Sequence, residues 1–483
     1  MWNWLSHLWP YLVMAMHIGG AIGVTLHVVL KPRQSKAGVA WIGLAWFSPI
    51  FGSLAYLCLG INRIRRKGGA LGISEARLKA VAEPPSSKEV ERWEKVARQH
   101  ESFRGLAKLG KEVTGRNFLV GNKVDPLVDG DEAYPAMLAE IAGAKESVNL
   151  LSYIFDSDRV GEQFLEALVE AKDRGVEVRV LIDHVGSRYS KPTMVKRLRS
   201  VGVTVGSFLP TKSAGMVRFA NLRNHRKILV VDGRVGFTGG TNIREGHSLK
   251  LKPDFPVRCL HFRFEGPIVM HLQEAFANDW AFANGEVLKG PPWFHPNEHV
   301  GPVGARGISD GPDDDLDKMS EMILGALTAA RDRVMVVTPY FLPDETVQWA
   351  LVVAAMRGVK VDIVIPEKNN IRLMDWATVP QLPFLLEKGC RIYKSPAPFD
   401  HTKLVVVDGL WSLVGSTNWD PRSLRLNFEF NIECYDQTLA GRLEKIVEER
   451  IAESREVSIE EINQRSPLVR LRDGISQMFS PYL

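Results

Sequence analysis

His225-Arg226-Lys227-Ile228-Leu229-Val230-Val231-Asp232 is followed at short range by Gly239-Gly240-Thr241-Asn242, and the chain then repeats the whole arrangement. The second copy reads His401-Thr402-Lys403-Leu404-Val405-Val406-Val407-Asp408, with Gly415-Ser416-Thr417-Asn418 at the same internal spacing. Each copy predicts a strand entered through His and Lys, a tight turn at Asp-Gly, and a second strand that ends on a small-residue loop carrying an Asn. Side chains alternate along a strand, so His and Lys share a face and the loop brings the Asn beside them. One His-x-Lys would signify little, because such residues beside strands are mostly solvated. Two copies with matched glycines and asparagines point to chemistry.

Outward from these motifs the sequence duplicates further. Ser147 to Phe155 corresponds to Val334 to Phe341, Asp173 to Val178 to Met356 to Val361, and Gly202 to Val205 to Gly389 to Ile392. Helical segments, roughly Val160 to Lys172 and Glu345 to Arg357, separate these strands. Strand, helix, strand at such lengths implies a parallel or mixed sheet covered by helices in each half. The expected fold is therefore α/β, with two pseudo-twofold-related units over 116–295 and 296–483. A Gly- and Pro-rich connection, about Gly290 to Pro312, is read as the divider, and a charged helix with a short tail follows Asp436. In that tail Ile475, Met478, Phe479 and Tyr482 recur at helical spacing, which fits either docking on the body or grazing the membrane, core packing being the commoner cause of such a stripe.

Before the duplicated part come two uncharged stretches. Residues 1–30 contain no Lys, Arg, Asp or Glu, and neither does Ala37 to Asn62. Each is apolar enough to cross a bilayer, over about 8–30 and 38–61, so residues 1–67 read as a transmembrane helical hairpin. A cleaved signal peptide would need a basic segment ahead of the first stretch, which is lacking. Trp2, Trp4 and Trp9 suit a membrane interface, and His17 and His27 read as interfacial or packing residues. Pro49 and Gly52 are placed to kink the second span or make it re-entrant. Lys31, Arg33 and Lys36 in the loop are set against Arg63, Arg65, Arg66 and Lys67 after it, which gives a slight preference for a cytoplasmic body. Residues 68–115 read as a juxtamembrane linker whose Trp93, Val96, Phe103 and Leu106 face either the membrane or, preferably, the body.

With 483 residues, 45% hydrophobic and 24% charged, the chain is a folded protein of two or three units, neither disordered nor fibrous. Cys58, Cys259, Cys390 and Cys434 are scattered, so neither a disulfide framework nor a thiolate zinc site is indicated. Net charge is only +5, yet Gly186 to Lys227 holds ten Lys or Arg and no acid. A run of one sign leading into the first motif suits an anionic substrate.

An imidazole titrates near neutrality, so one His can attack while another carries the proton, and two motifs brought together supply both roles. Lys227 and Lys403 add fixed positive charge, Asn242 and Asn418 amide donors. Such groups match a phosphodiester whose oxygens gain charge in the transition state. No carboxylate and His cluster has metal-ligand spacing, and Asp313, Asp314 and Asp315 read as a solvated helix start. The chemistry is expected to need neither metal nor cofactor.

The paired motifs resemble the phospholipase D superfamily and, within it, the bacterial cardiolipin synthases. The resemblance extends through Gly121-Asn122-Lys123, Tyr153-Ile154-Phe155, Asn224 beside the first motif, Thr338 to Glu345 and Asn427-Phe428-Glu429, besides the hairpin. It implies a membrane-bound phosphatidyltransferase in which His225 or His401 attacks the phosphorus of a phosphatidylglycerol and the other His serves as acid and base. The catalytic set is then His225, Lys227, Asp232, His401, Lys403 and Asp408, the two aspartates being expected to stabilise the motifs rather than react. Asn242 and Asn418 would bind phosphate, and Glu429 stands where the family places a carboxylate that orients a catalytic imidazole. The matching position in the first half is Cys259, which leaves Asp254 or Glu265 as a substitute, or an unlike orientation of His225. Thr402 replaces a usual Ala. Implied partners are phosphatidylglycerol, other anionic phospholipids and the bilayer of the bacterial inner membrane, not nucleic acid; an oligomer is compatible. A hydrolase using water (a phospholipase D or a nuclease), a phosphatidyltransferase with another donor or acceptor, and a catalytically dead lipid scaffold are the competing readings.

Overall fold

The computed structural model describes residues 2–30, 35–60, 101–210, 221–313 and 315–480. Two compact units emerge, Met1–Ile64 with Leu209–Leu222, and the remainder of the chain.

In the N-terminal segment a continuous helix covers Trp2–Leu30. Its Leu8–Leu30 portion, 23 residues of mean hydropathy 1.8, is the one described helix long and apolar enough to cross a membrane. The second apolar stretch does not form one continuous helix over 38–61. A helix over Ser35–Phe47 stops at Pro49, which has no amide to donate, and Ile50 takes a left-handed φ of 62°. A short helix Phe51–Ala55 and one π-helical turn, Tyr56–Gly60, complete it. Ala21, Val24, Ala45 and Tyr56 pack the two arms together. His27 Nδ1 meets the Tyr56 hydroxyl at 2.5 Å, a packing role as read from sequence.

Fourteen main strands build the larger unit. They are β1 (Leu119–Val128), β2 (Ser147–Ser152), β3 (Glu177–Asp183), β4 (Thr204–Phe208), β5 (Ile228–Val231), β6 (Val235–Gly239) and β7 (Leu260–Glu265) in the first half. The second half has β8 (Val303–Asp310), β9 (Arg333–Val337), β10 (Lys360–Pro366), β11 (Arg391–Ser395), β12 (Leu404–Val407), β13 (Trp411–Gly415) and β14 (Asn427–Tyr435). The order β4-β3-β2-β5-β6-β7-β1 in one half is mirrored by β11-β10-β9-β12-β13-β14-β8 in the other. β1 and β8 pair antiparallel at the centre, so the two halves share one sheet. Within each half the first three strands are parallel, and the motif hairpin, β5-β6 or β12-β13, is antiparallel to them.

Local signals are duplicated with the strands. Asp158 caps the helix Arg159–Asp173 through Gly161 N, and Asp344 caps Glu345–Met356 through Val347 N. Both hairpins turn through Asp-Gly pairs with φ near +50 to +60° at Asp232, Gly233, Asp408 and Gly409. Such type I′ turns match the twist of antiparallel strands.

Three expectations are corrected here. Gly290 to Pro312 is no mere divider, since Val303–Asp310 is a fully buried central strand. Its Gly304 and Gly307 weaken the strand signal, yet a Cβ there would strike Phe118 and Phe430. The linker read over 68–115 ends in a helix, Glu101–Thr114, that belongs to the body: Phe103 and Leu106 join Met319 and Met322 in the second-half core. Trp93 and Val96 lie outside the described residues. The C-terminal helix Pro467–Met478 docks by its polar side, with Asp473 and Ser476 buried, whereas Ile475, Met478 and Phe479 are exposed. Tyr482 lies outside the described residues.

Candidate active site

Each motif histidine is carried to the partner half by backbone pairing. Arg223–Asn224 runs parallel beside the start of β14, and His225 N donates to Phe428 O at 2.9 Å. The equivalent Phe399–Asp400 runs beside Val257–Arg258, and His401 N donates to Arg258 O at 2.8 Å. His225 and His401 thereby meet at one seam, with ring centroids 6.4 Å apart and planes 80° apart. Both are almost fully buried.

This crossing revises the roles of Glu429 and Cys259. Gly240 N donates to Leu260 O and Ser416 N to Phe430 O, which makes Cys259 the structural equivalent of Glu429. Because each His leans on the other half, Glu429 supports His225 rather than His401: His225 Nδ1 lies 3.0 Å from Glu429 Oε1 and 3.1 Å from Oε2. Asn427 Nδ2 donates to Glu429 Oε1 at 3.1 Å, and the Ser416 hydroxyl donates to Oε2. Cys259 stands at His401, where its Sγ reaches His401 O at 3.4 Å. His401 Nδ1 instead meets the Gly240 carbonyl at 3.0 Å. A Cβ on Gly240 would lie 2.5 Å from Cys259 Sγ and 2.8 Å from His401 O, so glycine allows this approach. Glu265, considered as a substitute acid, is engaged by Lys123 and Arg263.

With Nδ1–H donated in both rings, Nε2 is the nitrogen available for chemistry. Burial pushes His225 down to about 4 against the pull of Glu429, so it is neutral and nucleophilic at neutral pH. Burial acts to raise Glu429, but His225, Lys227 and Ser416 outweigh it and hold the carboxylate low. His401 is pushed well down by burial and by Lys403, His247 and Lys227. Cys259 is pushed up to about 12 by burial, which makes it a neutral thiol and no stand-in for a carboxylate.

Lys227 Nζ donates to His225 O at 2.6 Å, and Lys403 Nζ to His401 O at 2.7 Å. Burial brings Lys227 down to about 7 and Lys403 to about 8. A bound anionic phosphodiester would favour their charged forms and that of His401. Accordingly kcat/KM, which reports the free enzyme, is expected to fall as pH rises through about 7 to 8 and the lysines discharge. The alkaline limb of kcat should lie higher, since bound phosphate retains those protons. A pH profile in which both limbs coincide contradicts this coupling.

The remaining expected residues divide. Asn242 accepts from Ile154 N at 3.3 Å through Oδ1, which turns its amide nitrogen toward other partners. Asn418 donates one of its two amide N–H groups to Ser423 Oγ at 3.0 Å. Asp232 and Asp408 sit at the far ends of β5 and β12. Asp232 accepts from the amides of Lys145, Glu146 and Ser147, and Asp408 from those of Arg331, Asp332 and Arg333. They fasten turns to the preceding strands and do not touch the histidines. Asp232→Ala is expected to lower unfolding free energy by about 1–3 kcal/mol, the scale of amides left unpaired, while kcat is retained. Denaturant unfolding alongside kinetics checks this. In the basic run, Arg226 is committed to Asp279 at 3.0 Å and Arg197 to Glu162, so these two are structural. Lys212 and Arg218 lie outside the described residues. Asp315 pairs with Lys318 at 2.6 Å beside the helix Lys318–Ala329, consistent with a helix start, and Asp314 lies outside the described residues.

Sequence reasoning missed several neighbours. Tyr153 packs edge-on against His225 at 5.1 Å, with Lys227 Nζ 5.6 Å from its ring centre. Tyr340 lies 6.5 Å and His247 5.9 Å from the His401 ring. Tyr153 and Tyr340 fall in stretches already singled out, but His247 had no spacing to mark it.

Duplicated α/β halves that bring two motif histidines and their lysines to one seam define a phospholipase D-like fold. The family model described as cardiolipin synthase, phospholipase D-like domain, matches residues 137–280 and 323–451. The chain is 32% identical over 467 residues to the major cardiolipin synthase of Bacillus subtilis, covering 94% of this chain and 96% of that one. It is 32% identical over 488 residues to cardiolipin synthase A of Pseudomonas fluorescens, covering 99% of each. Among solved structures, the phosphatidylserine synthase of Haemophilus influenzae is similar in fold, with TM-score 0.63, 14% identity, and coverage of 78% of this chain and 100% of that one. The chain belongs to the cardiolipin synthase family.

Proposed function

We propose that the protein is a phosphatidyltransferase that makes cardiolipin from two phosphatidylglycerols, with His225 as nucleophile. The observation that carries the assignment of roles is the unequal support of the two rings: a buried carboxylate behind His225, a backbone carbonyl behind His401. Glu429 fixes the tautomer of His225 and stabilises the cation that forms as Nε2 attacks phosphorus. The bond from phosphorus to the glycerol oxygen breaks, and His401 Nε2–H protonates that oxygen. His401, lacking a carboxylate, is the stronger acid when charged and suits this donation. It then removes the proton from the glycerol hydroxyl of a second phosphatidylglycerol. The resulting oxygen attacks phosphorus, the P–N bond breaks, and His225 is regenerated. Lys227 and Lys403 offset the charge on the phosphoryl oxygens.

The Leu8–Leu30 helix supports a membrane location. A second crossing and a cytoplasmic body are our reading of the two apolar stretches and their flanking basic residues.

Incubating the purified full-length protein with phosphatidylglycerol is expected to yield cardiolipin and glycerol in equal amounts. Phosphatidic acid and glycerol without cardiolipin would identify a hydrolase and overturn the assignment.

A further inference from the structure

The C-terminal helix Pro467–Met478 is packed inside out. Leu468, Leu471, Ile475, Met478 and Phe479 are 49–80% exposed. At about 100° per residue they fall within an arc of about 100°. The side turned to the body is polar: Asp473 and Ser476 are buried, and Arg465 and Arg472 clamp Asp473 at 3.0 and 2.7 Å. Arg472 also lies 4.5 Å from the ring centre of Trp376, on the helix Arg372–Thr378 beneath. An apolar stripe of this kind is turned toward solvent against its own solvation preference, and it is fixed there by the ion pairs of two partly exposed arginines with the buried Asp473.

Charge identifies what covers the stripe. Between Gln464 and Ser480 the sole carboxylate is Asp473, which is consumed internally, while Arg470 is exposed. Arg470 flanks the apolar stripe and no free carboxylate of this segment opposes it, a pattern complementary to the interface of an anionic bilayer. Its position is also informative. The supporting helix begins one residue after Ile371, itself 45% exposed. The adjoining Asn369 and Asn370 bond to Pro339 O at 2.7 Å and to the Tyr340 hydroxyl at 2.9 Å, and Tyr340 flanks His401.

We propose that the C-terminal helix is a second membrane-contacting element, which lies on an anionic phospholipid surface and holds the adjoining Tyr340 side of the active site close to the lipid layer. This rests on the reading that the substrates are membrane lipids. A dye on Met478→Cys, in the full-length protein reconstituted into phosphatidylglycerol vesicles and blanked against the unmodified chain, reports contact independently of turnover. Quenching by brominated acyl chains with shielding from aqueous iodide is expected; iodide quenching without bromolipid quenching overturns the proposal. Self-quenching that grows with protein density would assign the stripe to a second copy instead and overturn it equally. In kinetics, Leu471→Asp with Ile475→Asp should cost about tenfold in kcat/KM on vesicles and little on monomeric short-chain phosphatidylglycerol, since binding loss of this size follows from about 1.4 kcal/mol. Equal loss on both substrates, or none on vesicles, contradicts it. Failure to form cardiolipin at all would appear in product analysis without changing the quenching result.

Discussion

His225→Ala is expected to lower cardiolipin synthesis by at least about 10⁴-fold, the scale on which an attacking group acts when its partners cannot replace it. Among the described residues no other imidazole of the site has a carboxylate at Nδ1, and the neutral Nε2 of His225 is available because burial holds the ring uncharged. His401→Ala is expected to cost about 10²–10⁴-fold, the range for loss of a positioned proton carrier. The two variants should separate with a donor whose leaving group needs no proton, such as a nitrophenyl phosphodiester. His401→Ala should then recover most of the first step, and His225→Ala none of it. Full synthesis by either single variant would rule out a shared site.

The second large effect concerns Glu429. Glu429→Gln is expected to reduce kcat by about 10²–10³-fold, because the amide cannot stabilise the imidazolium that forms on attack. Glu429→Ala should also lower stability, since Ser416 and Asn427 lose their buried acceptor. Cys259→Ala removes a neutral thiol whose contacts are to backbone carbonyls at 3.4 and 3.6 Å. Its expected cost is about 1 kcal/mol of stability from the small cavity, with kcat changed only a few-fold. Equal kinetic losses at the two positions would mean that Cys259 orients His401 directly.

The contrast between these positions shows what sequence could reach. The Asp-Gly turns and the alternating motif strands are local signals, and both formed where the residues called for them. Alignment of the halves also found that Cys259 occupies the place of Glu429. What it could not find was the partner of each, because Cys259 in the first half suggested that His225 was the ring left without its usual acid. The exchange depends on Arg223–Asn224 pairing with β14, a contact between residues some two hundred positions apart that periodicity does not encode. Val303–Asp310 was overlooked for a different reason: its glycines mimic a loop while serving to admit large neighbours. The C-terminal stripe had the spacing of a core helix, and only the burial of Asp473 shows that the stripe faces outward.

The central claim is that the two rings are unequal, with His225 forming the covalent bond. The direct measurement is peptide mapping of the full-length His401→Ala protein after acid-free quenching with phosphate-labelled phosphatidylglycerol. Label on the peptide containing His225, formed about 10²–10³-fold more slowly after the further change Glu429→Gln, is the expected result. Label recovered on the peptide containing His401 in the wild-type protein, with His225 unmodified, would contradict it.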